Sequence, residues 1–163
     1  MQPDERLSPP RYRFPFMSHP HFNEERVRTS FANQPFMQTI RAVLTRVEPG
    51  QIDIEMPVWD GIRQQHGFAH GGVVGSIADS ACGFAALSIA APDAGVLTTE
   101  FKCNFLAPSV GEKLIARGSI IKAGRTLTLT EARIFAVAEG KERLCAHMTA
   151  TIMTVQGRAG IAN

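Results

Sequence analysis

Hydrophobic and polar positions change rhythm along this chain, and each change marks an element. From Gln51 to Val58 they alternate, with Ile52, Ile54 and Met56 on one face, which predicts a half-buried strand. From Gly71 to Ala91 the chain is almost continuously apolar, broken by Ser76, Asp79, Ser80 and Ser88, and it stops at Pro92. That is the pattern of a long buried helix, of roughly 30 Å at about 1.5 Å per residue. Beyond it the period returns to two. Strands are predicted over 96–106, 112–122, 125–138 and 144–155, with Pro108, Ala123-Gly124 and Glu139-Gly140-Lys141 at the turns. On the third of these, Thr126, Thr128 and Thr130 are expected to face outward. Ahead of the first strand, Asn23 followed by Glu24-Glu25 predicts a helix start and a short helix to about Asn33, ended by Pro35. Phe36 and Met37 follow as core or pocket-wall residues. A weaker strand over 40–47 reaches the Pro49-Gly50 turn.

These elements assemble in one way that buries them all: an early hairpin and a strongly curved antiparallel sheet, with the helix on its concave side. This is an α+β, two-layer design. Several strands are apolar on both faces, and that excess predicts an oligomer.

The chain has 163 residues, enough for one domain with a full core, and a net charge of +2 without a lysine or arginine run. A nucleic-acid footprint is not expected. The cysteine count is three, an odd number without framework spacing, which points to a reducing compartment and no disulfide. Cys82, mid-helix among small apolar residues, reads as a buried inert thiol. Asp4 and Glu5 do not suit a secretory leader, and the polar interruptions of the 71–91 run argue against a membrane span, so a cytoplasmic protein is expected. Residues 1–30, rich in proline and arginine at the start, are expected as an extension, with Phe14, Phe16 and Phe22 either anchoring it or covering a partner subunit's pocket. The domain is expected over 31–156, with a tail over 157–163.

The chemistry gathers at the start of the long helix. Gly71 and Gly72 stand where the first unpaired helix N–H groups point outward, so a ligand can approach the backbone and developing negative charge is favoured. Asp79 is the single acid of the helix, flanked on its face by Gly75, Ser76, Cys82 and Gly83. That narrow setting raises the pKa of a carboxylate and leaves it usable as base or nucleophile. Gly71 and Asp79 lie about 12 Å apart along the axis, too far to serve one reacting carbon from the same helix. Two antiparallel helices across a two-fold axis would bring one helix's start to the other's middle, giving two shared sites per dimer. His66 and His70, four apart, suit a metal only if both lie on one helix, and Gly67 and the glycine pair make the segment a turn. No metal is expected.

The segment from Gln64 through His66, Phe68 and His70-Gly71-Gly72, then Asp79, and later Asn104-Phe105-Leu106-Ala107-Pro108, resembles the hotdog-fold acyl-CoA thioesterases of the phenylacetic-acid-degradation type. The resemblance spans about 31–155. It implies a curved antiparallel sheet wrapped around the helix, a side-by-side homodimer often paired again as a tetramer, and hydrolysis of an acyl-CoA without a cofactor. It also implies that the Gly71 N–H polarises the thioester carbonyl and that Asp79 of the partner subunit activates water or attacks. Gln64, where the family commonly has Asn, would orient water or the carbonyl. Thr98 matches the hydroxyl residue after the helix, with Thr99 as its neighbour, and strand parity would turn only one of them to the site. His70, Gly72, Phe68, His66 and Asn104 complete the expected substrate-binding set, with Phe36 and Phe84 as further acyl-pocket walls. Arg117, Lys122, Arg125, Arg133 and Lys102 are the cations available for the coenzyme's phosphates. An acyl-thioester dehydratase and a non-catalytic acyl-CoA binding module are the alternatives.

Overall fold

The structure, a computed structural model, describes residues 20–157. The expected surface extension with Phe14 and Phe16, and residues 158–163, lie outside the described residues. Two short helices, α1 (Glu24–Ala32) and α2 (Pro35–Thr39), lead into the hairpin of β1 (Val43–Glu48) and β2 (Gln51–Pro57). A single 3-10 turn (Asp60–Ile62) precedes the long helix α3 (Gly71–Ile89), and β3 (Ala94–Phe105), β4 (Lys113–Ala123), β5 (Leu127–Ala138) and β6 (Lys141–Gln156) follow. All six strands form one antiparallel sheet in the order β1-β2-β4-β5-β6-β3. The segment β4-β5-β6 is a meander, whereas β3 crosses to the far edge and pairs with β6. Helix α3 touches every strand, so the sheet wraps around it: the hotdog architecture.

Small residues on both partners let the helix lie this deep. The inward positions of the central strands include Ala116, Gly118, Ala132, Ala146 and Ala150, and α3 meets them with Ala78, Ala81, Cys82 and Ala85, all buried. At Gly118 the approach is closest, because a Cβ there would overlap the backbone carbonyl of Ala81. Ile52, Ile54 and Met56 are fully buried on the same side, each worth about 1.5–3 kcal/mol relative to exposure. By length and composition alone α3 could cross a membrane; here most of it is packed inside the sheet.

One expectation is corrected. Thr128 and Thr130 face inward and are buried, while Leu127 and Leu129 stand exposed. The reason is that a threonine hydroxyl can satisfy itself locally: that of Thr130 donates to the carbonyl of Ala150 at 3.1 Å on the neighbouring strand. The expected boundary at residue 30 falls inside α1, whose Val27 and Phe31 belong to the core. Asn23 caps α1 by accepting from the Arg26 N–H at 3.0 Å. Arg26 then reaches the other end of α3, donating to the carbonyls of Ala90 at 3.2 Å, Ala91 at 3.0 Å and Ala94. The last turn of α3 has no basic residue of its own, so α1 supplies the cation that its carbonyl end favours.

The hairpin is tied to α3 by one buried hydroxyl. Ser88 accepts from the N–H of Gly50 at 2.7 Å and donates to the Ala85 carbonyl at 2.7 Å. Gly50 occupies φ +73°, a turn conformation that suits glycine. Ser88→Ala would strand the Gly50 N–H away from water. It is expected to lower unfolding free energy by about 1–3 kcal/mol, read by urea titration; an unchanged midpoint would show that the tie does not hold the hairpin.

Candidate active site

A short loop delivers the chain to the start of α3. The Gln64 N–H bonds to the Phe68 carbonyl at 2.8 Å, and Gly67, at φ +85°, closes the turn by donating to the Gln64 carbonyl at 2.9 Å. The loop is fastened at its exit, where the His70 N–H donates to the Ile62 carbonyl at 2.8 Å and Ala69 to Ser109 at 3.1 Å. His70 is the N-cap of α3, its Nδ1 accepting from the Gly72 N–H at 2.9 Å. A ring nitrogen that accepts carries no proton, so neutral His70 has its hydrogen on Nε2.

The first-turn donors of α3 are therefore unevenly satisfied. Gly72 has the imidazole, and Val73 and Val74 both use the His70 carbonyl at 3.0 and 3.1 Å. Among the described residues the Gly71 N–H has no acceptor. The approach at both glycines is tight: a Cβ at Gly71 would lie 3.1 Å from the Phe105 ring and one at Gly72 would lie 3.1 Å from His70 Nδ1, so either side chain would have to shift to admit one. Gly71 borders two cavities. One of about 450 Å³ is shared with Gln64, Phe68 and Phe105. The other, of about 440 Å³, extends along α3 through Gly75 and Ser76 to Asp79, with Phe101, Cys103 and Phe105 from β3 as its wall.

Asp79 is half-buried, and the hydroxyl of Thr98 donates to its Oδ1 at 2.7 Å. Burial pushes the carboxyl above its ordinary range, and the Thr98 hydrogen bond, which favours the charged form, pulls it back. Cys82, one turn further on, is held as a thiol, pushed up to about 12 by burial.

The expected residues separate into those the fold gathers and those it does not. Gln64, Phe68 and Gly71 line one cavity, and Gly71, Gly72 and Asp79 line the other. The Gln64 Oε1 accepts from the His66 N–H, which holds the side chain within its loop. Thr98 reaches Asp79, but Thr99 does not. A bulge between Thr98 and Glu100 breaks the strand register, and the Thr99 hydroxyl donates to the Thr151 carbonyl at 2.9 Å. Asn104 lines neither cavity: it alternates with Cys103 and Phe105, which line the helix side, and pairs in register with His147. His66 is exposed beside Gln65, outside both cavities. Phe36 is exposed, while Phe84 is buried and borders a third cavity. Arg117 is committed to the outer face of the sheet, paired with Glu142 at 2.7 and 2.8 Å. Phe105 stands in the motif Asn104–Pro108 without an assigned role; nothing in strand alternation announces that its ring covers Gly71.

Residues 66–142 match the family model described as the thioesterase superfamily. The crystal structure of a thioesterase family protein from Silicibacter pomeroyi is 47% identical and superposes with a TM-score of 0.81 over 82% of this chain and 98% of that one. A 1,4-dihydroxy-2-naphthoyl-CoA hydrolase from Listeria monocytogenes is 28% identical over 66% of this chain and 86% of its own length. The PaaI protein of the phenylacetic acid degradation operon of E. coli shares the fold, with a TM-score of 0.72 at 18% identity over 82% of this chain and 93% of that one.

The environment of Asp79 has a consequence for stability. A carboxyl whose pKa is raised by folding contributes stability that is complete below its unfolded value and is lost as pH rises through the folded one. Asp79→Asn stays neutral and keeps an oxygen for the Thr98 hydroxyl. The variant is expected to melt above the parent at neutral pH, with the gap closing below the ordinary carboxylate range. Melting curves across that pH interval decide it, and a variant less stable than the parent at neutral pH would contradict the sign.

Proposed function

The chain belongs to the hotdog-fold thioesterase superfamily, a family of thioester hydrolases, and we propose that it hydrolyses an acyl-CoA to the free acid and coenzyme A. The observation that carries this reading is the Gly71 N–H at the start of α3, which has no acceptor among the described residues and borders a cavity that Asp79 also lines. Thioester hydrolysis needs these two groups, a donor for the oxyanion and a carboxylate for water. In the proposed reaction Asp79 takes a proton from water as the oxygen attacks the carbonyl carbon. The carbonyl oxygen becomes an oxyanion held by the Gly71 N–H, and Gln64 orients the water or the carbonyl. Collapse of the intermediate breaks the C–S bond, and the departing thiolate takes up the proton. The Listeria relative, a CoA thioester hydrolase by name, supports coenzyme A as the leaving group.

The two groups lie too far apart on one helix for a single carbon, so each site combines Gly71 of one protomer with Asp79 of its partner. Strand β3 supports this arrangement: it forms a sheet edge and exposes Leu97 and Phe101. Pairing of such edges would continue the sheet and cover those side chains. A second pairing would give a dimer of dimers. All three cysteines are free, which fits the reducing cytoplasm.

Free-thiol release from aromatic and aliphatic acyl-CoAs tests the reading. Asp79→Asn is expected to lower kcat at least about a hundredfold, and near-full turnover by the variant would sink the assignment. Thr98→Val removes the hydroxyl that favours the Asp79 carboxylate. The acid limb of kcat against pH is then expected to move to higher pH, and a limb that stays in place would show that Thr98 does not tune the base.

A further inference from the structure

Asp79 borders a third cavity, on the side away from the helix start. It is smaller, at about 180 Å³, and Ser30 and Gln34 of the α1–α2 segment reach it from outside the sheet. Ser80, Gly83 and Phe84 of α3 complete most of its wall, and Thr98 stands at its border beside the carboxylate. A thioester placed at Asp79 would have this space within reach of its acyl end. At about 30 Å³ per water-sized group, it has room for about six non-hydrogen atoms.

Thr98 and Asp79 are committed to each other, but two of its polar groups are not. Among the described residues neither the Ser30 hydroxyl nor the Gln34 amide has a hydrogen-bond partner, although both residues are half-buried. Gln34 occupies the N-cap position of α2, where a side chain commonly bonds to the helix, yet it makes no capping bond. A half-buried amide that neither caps its helix nor pairs with a neighbour is available to a ligand. The opposite wall is open at Gly83, where a Cβ would meet no atom within 4 Å.

Resting on the thioesterase reading, we propose that Ser30 and Gln34 are specificity-determining residues. They hydrogen-bond a polar group at the far end of a compact acyl chain or ring, while its carbonyl lies at Asp79. The substrates they select are short acyl thioesters with a terminal hydroxyl or carbonyl, in preference to unsubstituted chains of the same length. A pocket that hydrogen-bonds one group of the substrate discriminates through the cost of leaving its own polar atoms unpaired. Gly83 sets the width: a side chain at that position would take up space the acyl group needs.

The test compares kcat/KM for pairs of acyl-CoAs matched in size, such as benzoyl with hydroxybenzoyl and butanoyl with 4-hydroxybutanoyl. The panel is run on the full-length wild type, Gln34→Leu, Ser30→Ala and Gly83→Ala, each checked for a cooperative melt. Wild type is expected to favour the hydroxylated member, and Gln34→Leu to reduce that ratio about tenfold, with a smaller fall for Ser30→Ala. Gly83→Ala is expected to lower turnover of the ring substrates relative to the chains. Equal rates for both members of every pair, or a ratio unmoved in Gln34→Leu and Ser30→Ala, would overturn the proposal while leaving hydrolysis at Asp79 standing. Absence of thiol release from every thioester would remove the parent reading and this one together.

Discussion

Everything in this molecule depends on how closely α3 lies against its sheet. The contact is made by glycine and alanine on the strands and alanine on the helix, and at Gly118 the strand backbone comes within reach of the Ala81 carbonyl. Larger residues on either side would hold the helix off and flatten the sheet. Small residues give up buried area per side chain but gain close packing of backbone against backbone, and the larger apolar residues Ile52, Ile54, Met56, Ile134 and Ile152 fill the space around that contact. The seat fixes the helix in depth, while Arg26 holds its carbonyl end and the Ile62–His70 loop holds its N–H end.

A helix anchored at both ends can present its first turn with little freedom, and that is what an oxyanion site requires. His70 does more than start the helix. By taking the Gly72 N–H on its ring and two more donors on its carbonyl, it leaves one donor, that of Gly71, unpaired among the described residues. The selection comes from the backbone geometry of a cap, so the side chain at position 71 can be absent and the ring of Phe105 can lie against it. Asp79 is set by different means. Its carboxylate is drawn partly out of water by its place on α3 inside the curved sheet, then kept within reach of the charged form by one hydroxyl from β3.

Some of this was legible in the chain and some was not, and the difference has a physical basis. Signals confined to neighbouring residues read true: Asn23 before two glutamates is an N-cap, Ile52, Ile54 and Met56 share the buried face, and the His70-Gly71-Gly72 triplet opens the helix. Alternation on β5 failed to say which face was inside, because leucine and threonine alternate there and a hydroxyl can be buried when a strand carbonyl accepts it. Parity along β3 held at its start, where Thr98 turns to Asp79 and Thr99 away. Beyond it a bulge between Thr98 and Glu100 resets the count, so Phe101, Cys103 and Phe105 line the helix side and Asn104 alternates away from it. Ser30 and Gln34 carried no signal, since their relevance comes from the fold laying α1 beside Asp79, many residues away in sequence.

The α1–α2 segment therefore links two tasks that a reading of the domain boundary would have kept apart. Through Arg26 it caps the carbonyl end of α3, and through Ser30, about one turn later, and Gln34, just beyond the end of α1, it borders the space next to the carboxylate. The two tasks constrain each other. A change that shifted α1 to admit a different acyl end would pull Arg26 from the Ala90 and Ala91 carbonyls and loosen the helix that carries Asp79. Side-chain substitution at positions 30 and 34 avoids that penalty, because neither side chain bonds to the protein among the described residues. On physical grounds the proposed acyl pocket can be retuned there with the least disturbance to Asp79, the Gly71 N–H and the packing that holds both.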